Sequence, residues 1–84
     1  MKDWLVYMIR CSDDSLYTGI TNDLEKRFQQ HVEGKGAKYF RGRQPLEVVH
    51  VEQGHDRSSA SKREAQIKKL TPEQKRNLAG SVGT

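Results

Sequence analysis

Residues Trp4 to His31 read WLVYMIRCSDDSLYTGITNDLEKRFQQH, and the fold turns on how this stretch is parsed. Trp4–Cys11 is apolar on both alternating sets, with Leu5, Tyr7 and Ile9 on one and Trp4, Val6 and Met8 on the other. A short two-sided run of Val, Ile and aromatics predicts a strand at the centre of a sheet. Ser12-Asp13-Asp14-Ser15 supplies turn chemistry, because Asp and Ser side chains bond their own backbone. Ser15–Thr21 returns as a second strand, which makes a β-hairpin.

Loop length decides where the two tyrosines point, because side chains alternate along a strand. A three-residue loop of Asp13–Ser15 pairs Ser12 with Leu16, Cys11 with Tyr17 and Ile9 with Gly19. Tyr7 and Tyr17 then share a face. A loop one residue shorter or longer separates them unless a bulge restores the parity. The same face is the expectation.

Asn22 is a good N-cap for the helix that follows, with Glu25 placed to complete a capping box. Leu24, Phe28 and Val32 fall at i, i+4 and i+8 and form its expected buried stripe. Arg27 and His31 line one edge of that stripe, near the sheet. Downstream, Pro45 opens a third strand over Leu46–Glu52, closed by Gly54, His55 and Asp56. Arg57–Leu70 is helical, with Ala60, Ile67 and Leu70 on one face. Thr71-Pro72-Glu73-Gln74 starts a last helix, with Thr as N-cap and Pro at the first helical position.

The 84 residues predict a single domain over 1–80 with a short tail over 81–84. A chain of this size buries only about 60% of its unfolded surface. Cys11 is the sole cysteine, which excludes an intrachain disulfide and a cysteine zinc site. With no disulfide staple and an apolar N-terminal run too short for a leader or a membrane span, the cytoplasm is the expected compartment. The net charge of +4 is uneven: residues 34–46 carry Lys35, Lys38, Arg41 and Arg43 without an acid, and residues 57–84 carry seven bases against Glu64 and Glu73. Two basic blocks suit a polyanion, although a merely solvated surface has the same composition. The loop Gly34–Arg43 interleaves those bases with Tyr39 and Phe40 but lacks P-loop spacing.

Glu64 lies four residues after Ala60 and three before Ile67, along an apolar stripe. A carboxylate there is neutralised, hydrogen-bonded or bound to a cation, unless Ser61 and Glu64 form a capping box at a later helix start. Arg27 pairs with a carboxylate or clamps phosphate oxygens. His50 and His55 match no metal-ligand spacing and read as structural.

Taken together, Leu5-Val6-Tyr7, Tyr17-Thr18-Gly19, Asn22, Arg27, His31 and Glu64 resemble the GIY-YIG nuclease superfamily from about Trp4 to Asn77. The likeness is strongest to its small single-domain bacterial branch and to the catalytic module of structure-specific endonuclease subunits. Leu5 stands where the first motif has glycine, and Thr18 where the second has isoleucine. The resemblance implies a compact α/β (α+β) fold, a small three-stranded antiparallel sheet flanked by helices. It implies a divalent-metal-dependent DNA endonuclease, with a non-catalytic nucleic-acid-binding module or a partner-dependent nuclease subunit as alternatives.

By the same resemblance Glu64 holds one cation, Mg²⁺ or Mn²⁺, and Arg27 neutralises the phosphate. Tyr7 and Tyr17 contact or activate the attacking water, His31 assists, and Gly19 and Asn77 belong to the wider pattern. The proton acceptor is open among Tyr7, Tyr17, His31 and a metal-activated water. Lys35, Lys38, Tyr39, Arg41, Arg43, Lys62 and Lys68 are the expected nucleic-acid contacts, on DNA with branched or single-stranded regions. A protein partner supplying substrate binding also fits. The geometric requirement is that Tyr7, Tyr17, Arg27 and Glu64 meet.

Overall fold

Three strands and three helices follow one another as β1 (Trp4–Cys11), β2 (Leu16–Thr21), α1 (Leu24–Val32), β3 (Pro45–His55), α2 (Arg57–Lys68) and α3 (Pro72–Gly80). A single 3-10 turn covers Lys38–Phe40 between α1 and β3. The computed structural model describes residues 3–35 and 38–80. The tail expected over 81–84, and Gly36 and Ala37 of the basic loop, lie outside them.

The sheet is antiparallel in the order β2-β1-β3, so β1 is the central strand, as its two-sided apolarity requires. Its pairing with β2 sets Tyr7 against Gly19, Ile9 against Tyr17 and Arg10 against Leu16. This is two residues off the expected register. The loop is again three residues long, but it is Ser12–Asp14, closed by the Cys11 amide donating to the Ser15 carbonyl at 2.9 Å. Asp14 takes the left-handed position that ends such loops, at φ 67°. Asp13 accepts from the Ser15 amide at 3.2 Å, which fixes the turn one residue earlier than composition alone suggests. A shift of two preserves parity, so both tyrosines still share a face.

Helix α1 begins one residue later than expected. Asp23, not Asn22, is its N-cap and accepts from the Lys26 amide at 3.2 Å. Thr21 decides this, because its hydroxyl accepts from the Asp23 amide at 3.0 Å and turns that residue into the cap position. The buried stripe is also rotated: His31 is buried and Val32 is half exposed. Adjacent helical residues diverge by about 100°, so a face centred on Leu24, Phe28 and His31 leaves Val32 on its shoulder.

β3 is longer than Leu46–Glu52 at both ends, and Gly54 at φ 80° lets it bend at its last residues. Helix α2 starts at Arg57 behind a capping box of Asp56 and Ser59, so Ser61 is not a cap and Glu64 sits in mid-helix. Helix α3 starts as its sequence prescribes. Gln74 donates its amide to Thr71 Oγ1 at 3.1 Å, and the Thr71 amide donates to Gln74 Oε1 at 3.0 Å. Thr71→Ala is expected to lower stability by about 1 kcal/mol in urea unfolding, with faster hydrogen exchange concentrated in α3.

Two small cores result, one on each face of the sheet. Val6 and Met8 pack with Ala60 and Ile67 of α2, flanked by Trp4, Leu16, Ile20 and Leu78. Tyr7, Ile9 and Cys11 pack with Phe40, flanked by Leu5, Tyr17, Leu24 and Phe28. Helices α2 and α3 therefore cover one face, and α1 with the 3-10 turn covers the other. No described helix is long and apolar enough to cross a membrane.

Candidate active site

The tyrosine face carries the reactive residues. Tyr7 on β1 and Tyr17 on β2 lie diagonally across the hairpin, with ring centroids 6.2 Å apart. Between them is Gly19, directly opposite Tyr7. A Cβ at Gly19 would stand 2.6 Å from the Tyr7 hydroxyl oxygen and 3.0 Å from Tyr17 Cε2. The glycine is required because the Tyr7 hydroxyl and Cζ fill the space a Cβ would take.

Helix α1 closes over this pair. His31 Nε2 lies 2.8 Å from the Tyr7 hydroxyl, and both residues are buried. Burial, reinforced by the Arg27 charge, pulls the His31 pKa down to about 4, so the ring is neutral at pH 7. Burial and the neighbouring Tyr17 push the Tyr7 hydroxyl well above the ordinary tyrosine range, against the opposing pull of Arg27. Arg27 is a donor only, so it can give a proton to the Tyr7 oxygen, while the direction of the Tyr7–His31 bond follows the imidazole tautomer. Nδ1 is buried without a hydrogen-bond partner among the described residues.

Arg27 donates through Nη1 to Gln30 Oε1 at 3.0 Å and lines a cleft of about 310 Å³ with Trp4, Thr21, Asn22 and Lys26. On the other side of the cluster, Phe40 packs 4.4 Å from His31 and 4.8 Å from Tyr17. Tyr39 follows at 5.1 Å from Tyr17. The Arg43 guanidinium lies 4.1 Å over the Tyr39 ring and is held by Asp13 at 3.4 Å. Arg43 thus braces the loop, while Lys35, Lys38 and Arg41 are exposed.

Tyr7, Tyr17, Arg27 and His31 come together; Glu64 arrives from the other layer. The expected sharing of one face is corrected here, because α2 packs on the Val6 and Met8 side of the sheet. Along α2, Ala60 and Ile67 point inward and Arg63 and Glu64 flank them on opposite sides, about 100° apart. Arg63 reaches β3, where it pairs with Glu52. Glu64 is therefore turned toward the β2 edge, partly exposed, with Lys68 at 3.4 Å. Lys62 and Lys68 are exposed on α2, and Asn77 is exposed on α3.

Sequence reading missed a second polar cluster. Glu52 receives Arg63 in a two-pronged contact at 2.9–3.0 Å, His50 Nε2 at 2.9 Å and His55 Nε2 at 3.5 Å. Burial pushes its carboxyl up, but the Arg63 and His50 contacts outweigh this and bring it down to about 2. His50 and Glu52 share a face by strand alternation, a signal that was present. His55 joins them only because Gly54 bends the strand, and that was not readable.

Residues 3–77 match the family model described as the GIY-YIG catalytic domain. The chain belongs to the GIY-YIG family. This GIY-YIG domain is 53% identical over 80 residues to a UPF0213 protein of Haloquadratum walsbyi, covering 94% of the chain and 90% of the relative. It is 49% identical over 78 residues to the UPF0213 protein YhbQ of Escherichia coli, covering 93% and 78%. The solution NMR structure of an E. faecalis protein shares its fold at a TM-score of 0.64 and 38% identity, over 96% of this chain and 86% of that one.

Proposed function

We propose that this GIY-YIG domain, as one catalytic unit over residues 1–80, is a divalent-metal-dependent DNA endonuclease. The observation that carries the reading is the convergence of Tyr7, Tyr17, Arg27 and His31 over Gly19. Phosphodiester hydrolysis needs a water relieved of a proton and charge neutralised at the phosphate oxygens. Arg27 is the phosphate clamp. Tyr17 is the partly exposed hydroxyl that meets the attacking water, and Tyr7 stands behind it. A Tyr7 hydroxyl that accepts a proton while passing its own to His31 never becomes a tyrosinate, so its raised pKa does not block the transfer. Phosphate bound at Arg27 offsets the charge that depresses His31 and makes the imidazole a better acceptor.

Glu64 is the carboxylate available for a metal. Among the described residues no three acidic, histidine or cysteine side chains gather into a metal cluster. One carboxylate turned to a sheet edge fits Mg²⁺ or Mn²⁺ used with substrate oxygens and water, rather than a closed protein cage. When bound, the cation supplies Lewis acidity at the phosphate. Lys35, Lys38, Arg41 and Lys62 are exposed cations suited to the DNA backbone, and Tyr39 is a stacking surface.

Plasmid and branched DNA should be cut by the wild-type protein with Mg²⁺ or Mn²⁺. Glu64→Gln should lower the rate about a hundredfold or more, since metal activation is worth several kcal/mol. Equal cutting by both proteins, or no cutting of any substrate, would sink the reading. The burial of Tyr7 and His31 favours a second reading, a non-catalytic nucleic-acid-binding module of the same fold. Its mark is salt-dependent DNA binding unaffected by Glu64→Gln, without cleavage.

A further inference from the structure

A second cleft of about 210 Å³ opens beside Tyr39. It is lined by Tyr39, by Ser15 and Leu16 where β2 begins, and by Pro72, Lys75 and Arg76 of α3. Its composition is unusual for a surface this polar: an aromatic ring, a leucine and a proline beside two cations. Neither Lys75 nor Arg76 has a carboxylate partner among the described residues. The one acid on the rim, Asp14, faces Arg10 at 3.8 Å and is largely exposed.

The aromatic wall is prepared in advance. Arg43 holds the Tyr39 ring at 4.1 Å and is itself fixed by Asp13 and by Ser15 Oγ at 3.3 Å. Tyr39 in turn touches Tyr17 at 5.1 Å between centroids. The cleft therefore begins one ring away from the cluster given the phosphate chemistry. A flat apolar wall with adjacent unpaired cations fits a nucleotide, whose base needs the wall and whose phosphate needs the charge. The cleft offers one aromatic ring beside two cations, the contacts of a single base and its phosphate.

We infer that this cleft holds one unpaired nucleotide beside the scissile bond, its base against Tyr39 and its phosphate between Lys75 and Arg76. The inference rests on the endonuclease reading and narrows its substrate to DNA with an unpaired nucleotide next to the cut. Duplex DNA meets the exposed bases but leaves the cleft empty. The paired region tracks the protein surface, and the displaced strand turns in beside α3.

Binding tests this without cleavage. Fluorescence anisotropy in EDTA would compare a labelled DNA hairpin carrying a single-stranded flap with its fully paired counterpart. The double substitution Lys75→Ala with Arg76→Ala should weaken flap binding about tenfold and paired binding by less than about threefold. An abasic nucleotide at the flap junction should weaken wild-type binding about fivefold or more. Arg76 is exposed and Lys75 half-buried, so melting curves confirm that the variant is folded, and the abasic arm uses wild-type protein alone. Equal weakening on flap and paired DNA, or indifference to the missing base, overturns the inference. Discrimination without cleavage in Mg²⁺ leaves the nucleotide site standing and removes the nuclease. Cleavage without discrimination does the reverse.

Discussion

Gly19→Ala is expected to unseat Tyr7 and destabilise the domain by about 1–3 kcal/mol, the usual range for overpacking a filled core. The new methyl would lie 2.6 Å from the Tyr7 hydroxyl oxygen and 2.8 Å from Cζ. Neither side can yield freely. Gly19 is backbone in a paired strand, and the Tyr7 ring is fully buried beneath α1. The hydroxyl must move, and its 2.8 Å contact with His31 goes with it. For a domain of this size each kcal/mol lowers the melting temperature by about 4–8 °C, so the effect is large. A double-mutant cycle identifies the cause. Tyr7→Phe removes the nearest clashing atom, so Gly19→Ala should be milder by at least about 0.5 kcal/mol in the Tyr7→Phe background. An unchanged penalty would mean that the hydroxyl is not what the glycine accommodates. If the proposed chemistry is correct, Gly19→Ala also loses cleavage beyond the unfolded fraction.

Glu52→Ala should be comparably damaging, by about 2 kcal/mol at pH 7. It leaves Arg63 and two histidines facing one another without their shared acceptor. Arg63 is about one-third exposed, which holds the figure below that of a fully buried pair. The pH dependence is specific. Glu52 has a folded pKa of about 2 against an ordinary value of 4.5, so the folded state binds fewer protons in that interval. Its stabilisation is complete above pH 4.5 and is lost as pH falls toward 2. His31, lowered from 6.5 to about 4, acts higher on the scale: the fold favours the neutral ring, and stability erodes as pH falls through that window. Urea unfolding at steps from pH 7 to 3 should show both losses in the wild type. Glu52→Gln should retain the upper loss and lack the lower one. A variant whose lower limb is unchanged would remove Glu52 from the account of acid stability.

The central position of β1 was legible because a strand covered on both faces has no polar side to alternate. The α3 cap was legible because Thr71, Pro72 and Gln74 act through bonds spanning three residues. The shared face of the tyrosines depends only on parity, and parity survived the register error. Local signals fail where two local options are close in energy and a third group chooses. Thr21 chose Asp23 over Asn22 as the α1 cap, and Asp13 closed the hairpin one residue early.

Alternation along strands and capping at helix starts are local, and both can be read along the chain. How the layers stack is set by packing between distant segments. The sheet separates α1 from α2, so Glu64 comes from the layer opposite α1 and is turned toward the β2 edge. It also brings His50, Glu52, His55 and Arg63 into one charge cluster, and sets Tyr39 between Tyr17 and the cations of α3. The physical reason is range. Periodicity and capping act within a turn or a strand, whereas these contacts join residues whose separation along the chain says nothing until the two cores have closed.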